Sequence, residues 1–389
     1  MTPTAITPTA ITPTAAPPGR VLPAGRKAHR HAVFHPLRVA AVDRLTDDAV
    51  SITFDVPGEL RDEFRFTAGQ HLSVRASQVG DDIRRNYSIC SPAPDGPLRI
   101  GVKQLPGGRF SGFASTRLRP GDLLDVMTPT GSFCPPLHPA QAKRYAAIAA
   151  GSGITPVLSI LATALETEPH STAALIYANR RVSTIMFLEE LEDLKDRFPE
   201  RFQLIHVLDE EKTDVAMLSG RLDVDRLSAI LDALLPVDDV DAWLLCGPLP
   251  MTDWVRDLLL ERGASAANVH RELFHVGPIA ARRRSPDLAD QRTSASPGAE
   301  VTVILDGRSV SLVVRRDGDS ILENTLRVRP DAPFACKNAV CGTCRARVID
   351  GAVEMDSNYA LEPDELARGF VLTCQSHPVT DRVVLDFDQ

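Results

Sequence analysis

Cysteine is sparse in this 389-residue chain, positive charge is in deficit, and no apolar run approaches the roughly 18 residues that cross a membrane. Each shortage excludes something. Cys90, Cys134 and Cys246 lie far apart among seven cysteines, which fits reduced thiols rather than the disulfide framework of an exported domain. The N-terminus lacks a signal peptide's apolar core, so the expected location is cytoplasmic, with no membrane partner. A net charge of −8 argues against nucleic acid as a partner. His35, His71, His206, His270 and His377 are scattered, with no H-E-x-x-H, and read as structural or solvated.

What is present concentrates near the end of the chain. Cys336, Cys341, Cys344 and Cys374 are spaced C-x4-C-x2-C-x29-C, the spacing of a plant-type [2Fe–2S] cluster, and are the expected metal ligands. Three thiols on one short loop must curl around a compact anion. Small residues at Ala335, Ala339, Gly342 and Thr343 let backbone N–H groups approach the sulfurs. Structural zinc is the competing reading, but it usually shows two C-x2-C knuckles and this chain has one. Residues 300–389 carry 10 Lys and Arg against 15 Asp and Glu, so the cluster segment is acidic and suits a basic docking face or simply a solvated surface.

The length predicts two to three domains. Residues 1–32, with Thr-Pro-Thr-Ala-Ile repeated, are too poor in large apolar side chains to fold and are expected to be disordered. From residue 33 to 137 short β-like runs such as Val50–Phe54, His71–Val74 and Leu123–Met127 alternate with Gly/Pro turns, which predicts an antiparallel barrel with one helical stretch at Phe113–Leu118. From 138 to 276 strands and helices alternate, which predicts a parallel, doubly wound α/β sheet. A polar, aperiodic linker is expected over 277–298, then a small β-grasp-sized domain over 299–389.

Several short motifs bear on ligands. In Arg85-Asn86-Tyr87-Ser88 alternate residues face one side of a strand, so a tyrosine can stack on a flat ring while the arginine pairs with a diphosphate. Gly107-Gly108-Arg109-Phe110-Ser111 reads as a glycine turn opening a helix whose free N–H groups suit a diphosphate. Plain strand alternation and a hairpin turn account for these motifs equally simply. Gly151-Ser152-Gly153-Ile154-Thr155-Pro156 joins a strand to a helix and lets a dinucleotide approach, although it is not the G-x-G-x-x-G fingerprint. Cys246 ends an apolar strand ahead of Gly247-Pro248; a buried space-filling thiol is its plainer reading. Asn179-Arg180-Arg181 offers cationic forks with no acid beside them, which favours a ribose 2′-phosphate, hence NADPH over NADH, at Arg180.

In this order the motifs resemble the ferredoxin–NADP reductase-like flavoproteins. With the cysteine module added, residues 33–389 resemble the reductases of bacterial multicomponent oxygenases. Phe34-His35-Pro36-Leu37, Gly69-Gln70-His71-Leu72, Tyr177-Ala178-Asn179-Arg180, Met186-Phe187 and Cys374-Gln375-Ser376-His377-Pro378 carry a narrower resemblance, to the reductase subunits of phenylacetyl-CoA epoxidase complexes. The resemblance implies FAD held by Arg85, Tyr87 and Ser88, with Gly107, Gly108 and Ser111 around the diphosphate and Val102 and Lys103 on a flavin- or adenine-proximal strand. It also implies Cys246 and Gly247 beside the nicotinamide, with Gly151, Gly153 and Thr155 at the dinucleotide, and Phe274 near the flavin. No acid–base catalyst is implied. Electrons would pass from NADPH to FAD to the cluster, then to an external oxygenase, for the narrower group a di-iron one. Reductases of other oxygenases share the domain order, and a non-enzymatic redox-responsive interaction module is a more distant alternative.

Overall fold

The computed structural model describes residues 33–80, 83–274, 298–361 and 363–389. The tract at 1–32 and almost all of the linker expected at 277–298 lie outside the described residues. Two compact units result, one ending near residue 274 and the other beginning near 298.

The first unit begins with six strands: β1 (Phe34–Thr46), β2 (Ala49–Asp55), β3 (His71–Arg75), β4 (Arg84–Ser88), β5 (Arg99–Lys103) and β6 (Leu123–Met127). They pair antiparallel in the order β4-β3-β6-β1-β2-β5. An Ile89–Ile100 bridge and the Cys90 N–H to Arg99 carbonyl bond (2.9 Å) join the two outer strands and close the barrel. Closure removes the open edges that an antiparallel sheet would otherwise present. Leu37, Ile52, Leu72, Val74, Ile100, Val102 and Val126 alternate inward and are almost wholly buried. Helix α1 (Arg109–Thr116) starts four residues earlier than the helical stretch expected at Phe113, because its first turn is set by Gly108 and Ser111 rather than by apolar periodicity.

Five parallel strands follow: β7 (Arg144–Ala150), β8 (Thr172–Asn179), β9 (Phe202–Leu208), β10 (Ala242–Cys246) and β11 (Val269–Glu272), ordered β11-β10-β7-β8-β9. Helices α2 (Ile154–Thr167) and α3 (Leu188–Arg197) cover one face, and α4 (Val224–Leu234) and α5 (Leu249–Glu261) cover the other. The order reverses beside β7, so the carboxyl ends of β7 and β10 flank the crevice where such sheets bind ligands. A buried glutamate, Glu168, ties the entry to this sheet: it accepts from the His138 N–H (2.8 Å), the Tyr145 hydroxyl (2.9 Å) and the Ser171 hydroxyl (2.7 Å).

The second unit is a mixed sheet with one main helix on it. Strands β12 (Ala299–Leu305), β13 (Arg308–Val314), β14 (Arg345–Asp350), β16 (Phe370–Leu372) and β18 (Arg382–Asp386) are ordered β13-β12-β18-β14-β16, with β15 (Val353–Met355) paired to β17 (Ser376–Pro378). Helix α6 (Ile321–Val328) buries Ile321, Leu322 and Thr325, and its first turn is capped by Ser320, whose hydroxyl accepts from the Glu323 N–H. A short helix, α7 (Pro363–Ala367), precedes β16. The β-grasp expectation matches this arrangement.

Candidate functional site

On β4, Arg85 and Tyr87 project to one side and Ser88 to the other. The Tyr87 ring lies 5.3 Å from Phe110 in the first turn of α1, so the strand motif and the glycine turn, over twenty residues apart in sequence, meet at one place. Gly107 has φ +71 and open space around its α-carbon, a backbone that favours glycine and leaves room for close approach. A methyl at Gly108 would collide with the Ser111 hydroxyl and press on the Leu105 carbonyl at 3.1 Å. The Ser111 hydroxyl is 3.1 Å from the Leu105 N–H and accepts from it, so this side chain shapes the turn. Val102 is fully buried in the barrel core, whereas Lys103 reaches out to Asp48 at 3.0 Å. An exposed arginine, a half-covered aromatic ring, an open glycine and an unblocked helix start fit a flavin dinucleotide.

Residue Ser88 points the other way, across to the α/β sheet, where its hydroxyl donates to Glu272 at 2.9 Å. Glu272 stands beside Cys246 in the register of β10 and β11. Its side chain is only 14% exposed, and burial pushes its carboxyl up to about 7 against the small opposing effect of the Ser88 bond. Burial, with the Glu272 charge added, pushes the Cys246 thiol well up, so it is a neutral group and not a nucleophile. His71 completes the group, with Nδ1 4.0 Å from Glu272 and Nε2 3.3 Å from the Thr130 hydroxyl. Glu272 was not singled out in the sequence, and His71 was read as structural or solvated. An acid ending the short run Val269–Glu272, just before Leu273-Phe274, is the signal that was there to be read.

The dinucleotide loop sits at the switch point. Gly151 has φ +53 with open space, and the Tyr177 hydroxyl donates to its carbonyl at 2.8 Å, fixing the loop from β8. Gly153 packs so tightly on Cys246 that an added methyl would strike that residue's carbonyl group. Gly247 is hemmed by Met251 and Ala150. Thr155 donates to the Ser152 carbonyl at 3.0 Å, and its methyl is 2.7 Å from where a β-carbon on Gly101 of the barrel would be. Arg180 is 59% exposed beyond the end of β8 and lies 3.4 Å from Asp48. Phe274 is 38% exposed, outside the hydrophobic cores.

In the second unit the cysteine loop carries three residues of left-handed backbone, Lys337 (φ 55), Ala339 (φ 61) and Gly342 (φ 65). That curl turns N–H groups inward: the Asn338 N–H reaches the Cys336 sulfur at 3.3 Å. The Gln375 amide spans from Cys374 to the Lys337 carbonyl (3.1 Å), and the Thr373 hydroxyl donates to the Cys344 carbonyl (2.8 Å), which clips the fourth cysteine to the loop. The thiols associate in pairs. Contact with Cys341, then burial, pushes Cys336 up. Cys344 donates to Cys374, which raises the first and lowers the second. Among the described residues no three His, Cys, Asp or Glu side chains converge as a one-ion site requires. Two pairs of thiols fit a centre with two irons, each taking two sulfurs.

Comparison with known proteins gives the family. The chain matches the models of the oxidoreductase FAD-binding domain over residues 36–134, the oxidoreductase NAD-binding domain over 147–257 and the 2Fe-2S iron-sulfur cluster binding domain over 303–379. It is 44% identical over 355 residues to a subunit of the 1,2-phenylacetyl-CoA epoxidase of Escherichia coli, covering 91% of this chain and 98% of that one. The chain belongs to the FAD- and [2Fe–2S]-containing oxygenase reductases. It is also 34% identical to the ferredoxin reductase component of the Rhodococcus rhodochrous 3-ketosteroid-9-alpha-monooxygenase, over 90% of this chain and 96% of that one. Phthalate dioxygenase reductase, a solved structure, aligns with a TM-score of 0.55 at 25% identity over 91% of this chain and 98% of its own. As a member of this family the chain is an NAD(P)H-dependent oxidoreductase whose cofactors are FAD and a [2Fe–2S] cluster, and its partner is an oxygenase component. No helix among the described residues is long and apolar enough to cross a membrane.

Proposed function

We propose that this chain is the reductase of an oxygenase complex that epoxidises the aromatic ring of phenylacetyl-CoA, drawing on NADPH and serving a di-iron partner in the cytoplasm. The observation that carries this reading is the end-to-end match, at 44% identity, to one component of such an epoxidase. When bound, the flavin supplies the conversion of a hydride's electron pair into single electrons, which the cluster carries one at a time.

The chain's own residues bind, orient and insulate. Arg85, Tyr87 and the start of α1 with Gly107, Gly108 and Ser111 would hold FAD, leaving Ser88 free to face the nicotinamide side. Gly151, Gly153, Thr155 and Gly247 give a dinucleotide room at the sheet's switch point, and Cys246, buried and neutral, presents a small uncharged wall against the nicotinamide. Glu272 Oε2 accepts from Ser88, and with its carboxyl pushed up to about 7 by burial it can hold or release a proton near neutral pH. Phe274, exposed at the end of the same segment, would cover a flat ring. Arg180, without an acid in Asn179–Arg181, supports NADPH over NADH. Cys336, Cys341, Cys344 and Cys374 would hold the cluster, two to each iron. The described cysteines form no disulfide, which supports a reducing compartment.

Two measurements test the reading. Combined flavin and iron–sulfur absorption that bleaches on anaerobic NADPH addition supports the internal relay; an iron centre that stays oxidised while the flavin bleaches refutes it. Reconstitution with oxygenase components then decides the acceptor. Coupled turnover with a phenylacetyl-CoA epoxidase, and not with a 3-ketosteroid monooxygenase, is expected; the reverse would move the chain to the second relative's role, which the 34% match keeps in view.

A further inference from the structure

We propose that Asp48 sets coenzyme preference by competing with a nucleotide phosphate for Arg180. This deepens the NADPH reading above and rests on Arg180 as the group that meets a 2′-phosphate. Asp48 lies in the turn between β1 and β2, on the barrel. Its Oδ1 takes the Lys103 ammonium at 3.0 Å and the Thr46 hydroxyl at 2.8 Å, and its backbone carbonyl accepts from the Gln104 N–H at 2.6 Å. Its second oxygen, Oδ2, faces the Arg180 guanidinium at 3.4 Å. One carboxylate is therefore anchored to the barrel through one oxygen and extended to the nucleotide-binding sheet through the other.

The juncture is a built one. Strand β5 runs along it, with Arg99 3.3 Å from Glu190 at one end and Gly101 pressed on Thr155 and Phe187 in the middle, so close that a β-carbon would be 2.7 Å from the threonine methyl. Lys103 and Asp48 stand at the far end. Burial opposes ionisation of Asp48, but the hydrogen bonds from Lys103 and Thr46 and the charges of Lys103 and Arg180 outweigh it and hold the carboxyl below its ordinary value, so it is an anion at working pH. Arg180 is held at its base, where its carbonyl accepts from the Glu210 N–H at 2.9 Å, and is exposed at its tip. Its neighbour Arg181 is already engaged by Glu210 at 2.7 Å.

A phosphomonoester arriving at Arg180 meets a fixed carboxylate that both repels it and holds its partner. A ribose hydroxyl carries no charge and meets neither penalty. Asp48 thus lowers affinity for NADPH selectively and keeps NADH competitive, a device of exclusion rather than attraction. It also couples coenzyme choice to the barrel, since the same carboxylate neutralises Lys103.

The test uses the flavin- and cluster-loaded full chain, with KM and kcat for NADPH and NADH measured against a one-electron acceptor. In Asp48→Asn the amide oxygen can still accept from Lys103, and KM for NADPH is expected to fall about three- to tenfold while that for NADH stays within about twofold; the gain should shrink in high salt. Asp48→Ser is a second variant with the same expectation should the first lose flavin. Equal shifts for both coenzymes, or none, overturn the proposal. Arg180→Gln separates the two readings. If it raises KM for NADPH while Asp48→Asn does nothing, only the role of Asp48 falls. If it leaves the preference untouched, the assignment of Arg180 falls, and the proposal with it.

Discussion

Replacing Glu272 by glutamine should make the reductase unit more stable, and by an amount that depends on pH. The carboxyl ordinarily ionises near 4.5 and in the fold near 7. Below 4.5 folded and unfolded chains both hold the proton, so the residue costs nothing. Between 4.5 and 7 the unfolded chain releases its proton while the folded one keeps it, and stability falls by about 1.4 kcal/mol per pH unit. Above 7 the cost levels at about 3 kcal/mol. Glutamine has no proton to lose and its carbonyl can still accept from Ser88, so it removes the slope and keeps the hydrogen bond. For a unit of this size about 3 kcal/mol corresponds to roughly 6–12 °C in Tm. Thermal unfolding of the full-length chain, followed by flavin fluorescence from pH 4.5 to 8, should show variant and parent coinciding at the acid end and separating as pH rises. Titrating groups remote from residue 272 are common to both proteins and cancel. Curves that stay parallel across the range would mean that Glu272 ionises normally and that the group built on Ser88, Glu272 and Cys246 is wrongly read.

Three further substitutions probe the other frames. Cys374→Ser should leave flavin content and its reduction by NADPH intact while the iron-to-flavin ratio falls from about two towards zero and one-electron transfer to an external acceptor is lost, as read by iron assay and acceptor kinetics. Gly153→Ala, which forces a methyl onto the Cys246 carbonyl group, should cost about 3 kcal/mol and raise the KM for NADPH, whereas the same change at Gly107, where space is open but φ is +71, should leave the packing of the sheet untouched, cost about 1–2 kcal/mol in backbone strain and weaken flavin retention.

Much of this was legible because each module announces itself by a different period. Inward alternation along β2, β3 and β6, and the strand–helix rhythm from Arg144 onward, are local signals, and so is the cysteine spacing. What stayed hidden depends on approaches across long stretches of chain. Ser88 and Glu272 are 184 residues apart, and Asp48 and Arg180 are 132 apart; each looks like an ordinary polar residue until the fold joins them. Barrel closure rests on the Ile89–Ile100 bridge, a register no periodicity dictates. Helix α3 begins only at Leu188 because Phe187 takes a left-handed backbone (φ 60), which an aromatic residue adopts rarely and without warning in sequence.

The tight seat of Gly153 on Cys246 has a mechanical side. With its α-carbon lodged against the carbonyl group of the neighbouring strand, the turn that would receive the coenzyme cannot slide while the thiol-bearing strand end stays put. The two walls can come no nearer to one another, and any side chain at position 153 would hold them further apart.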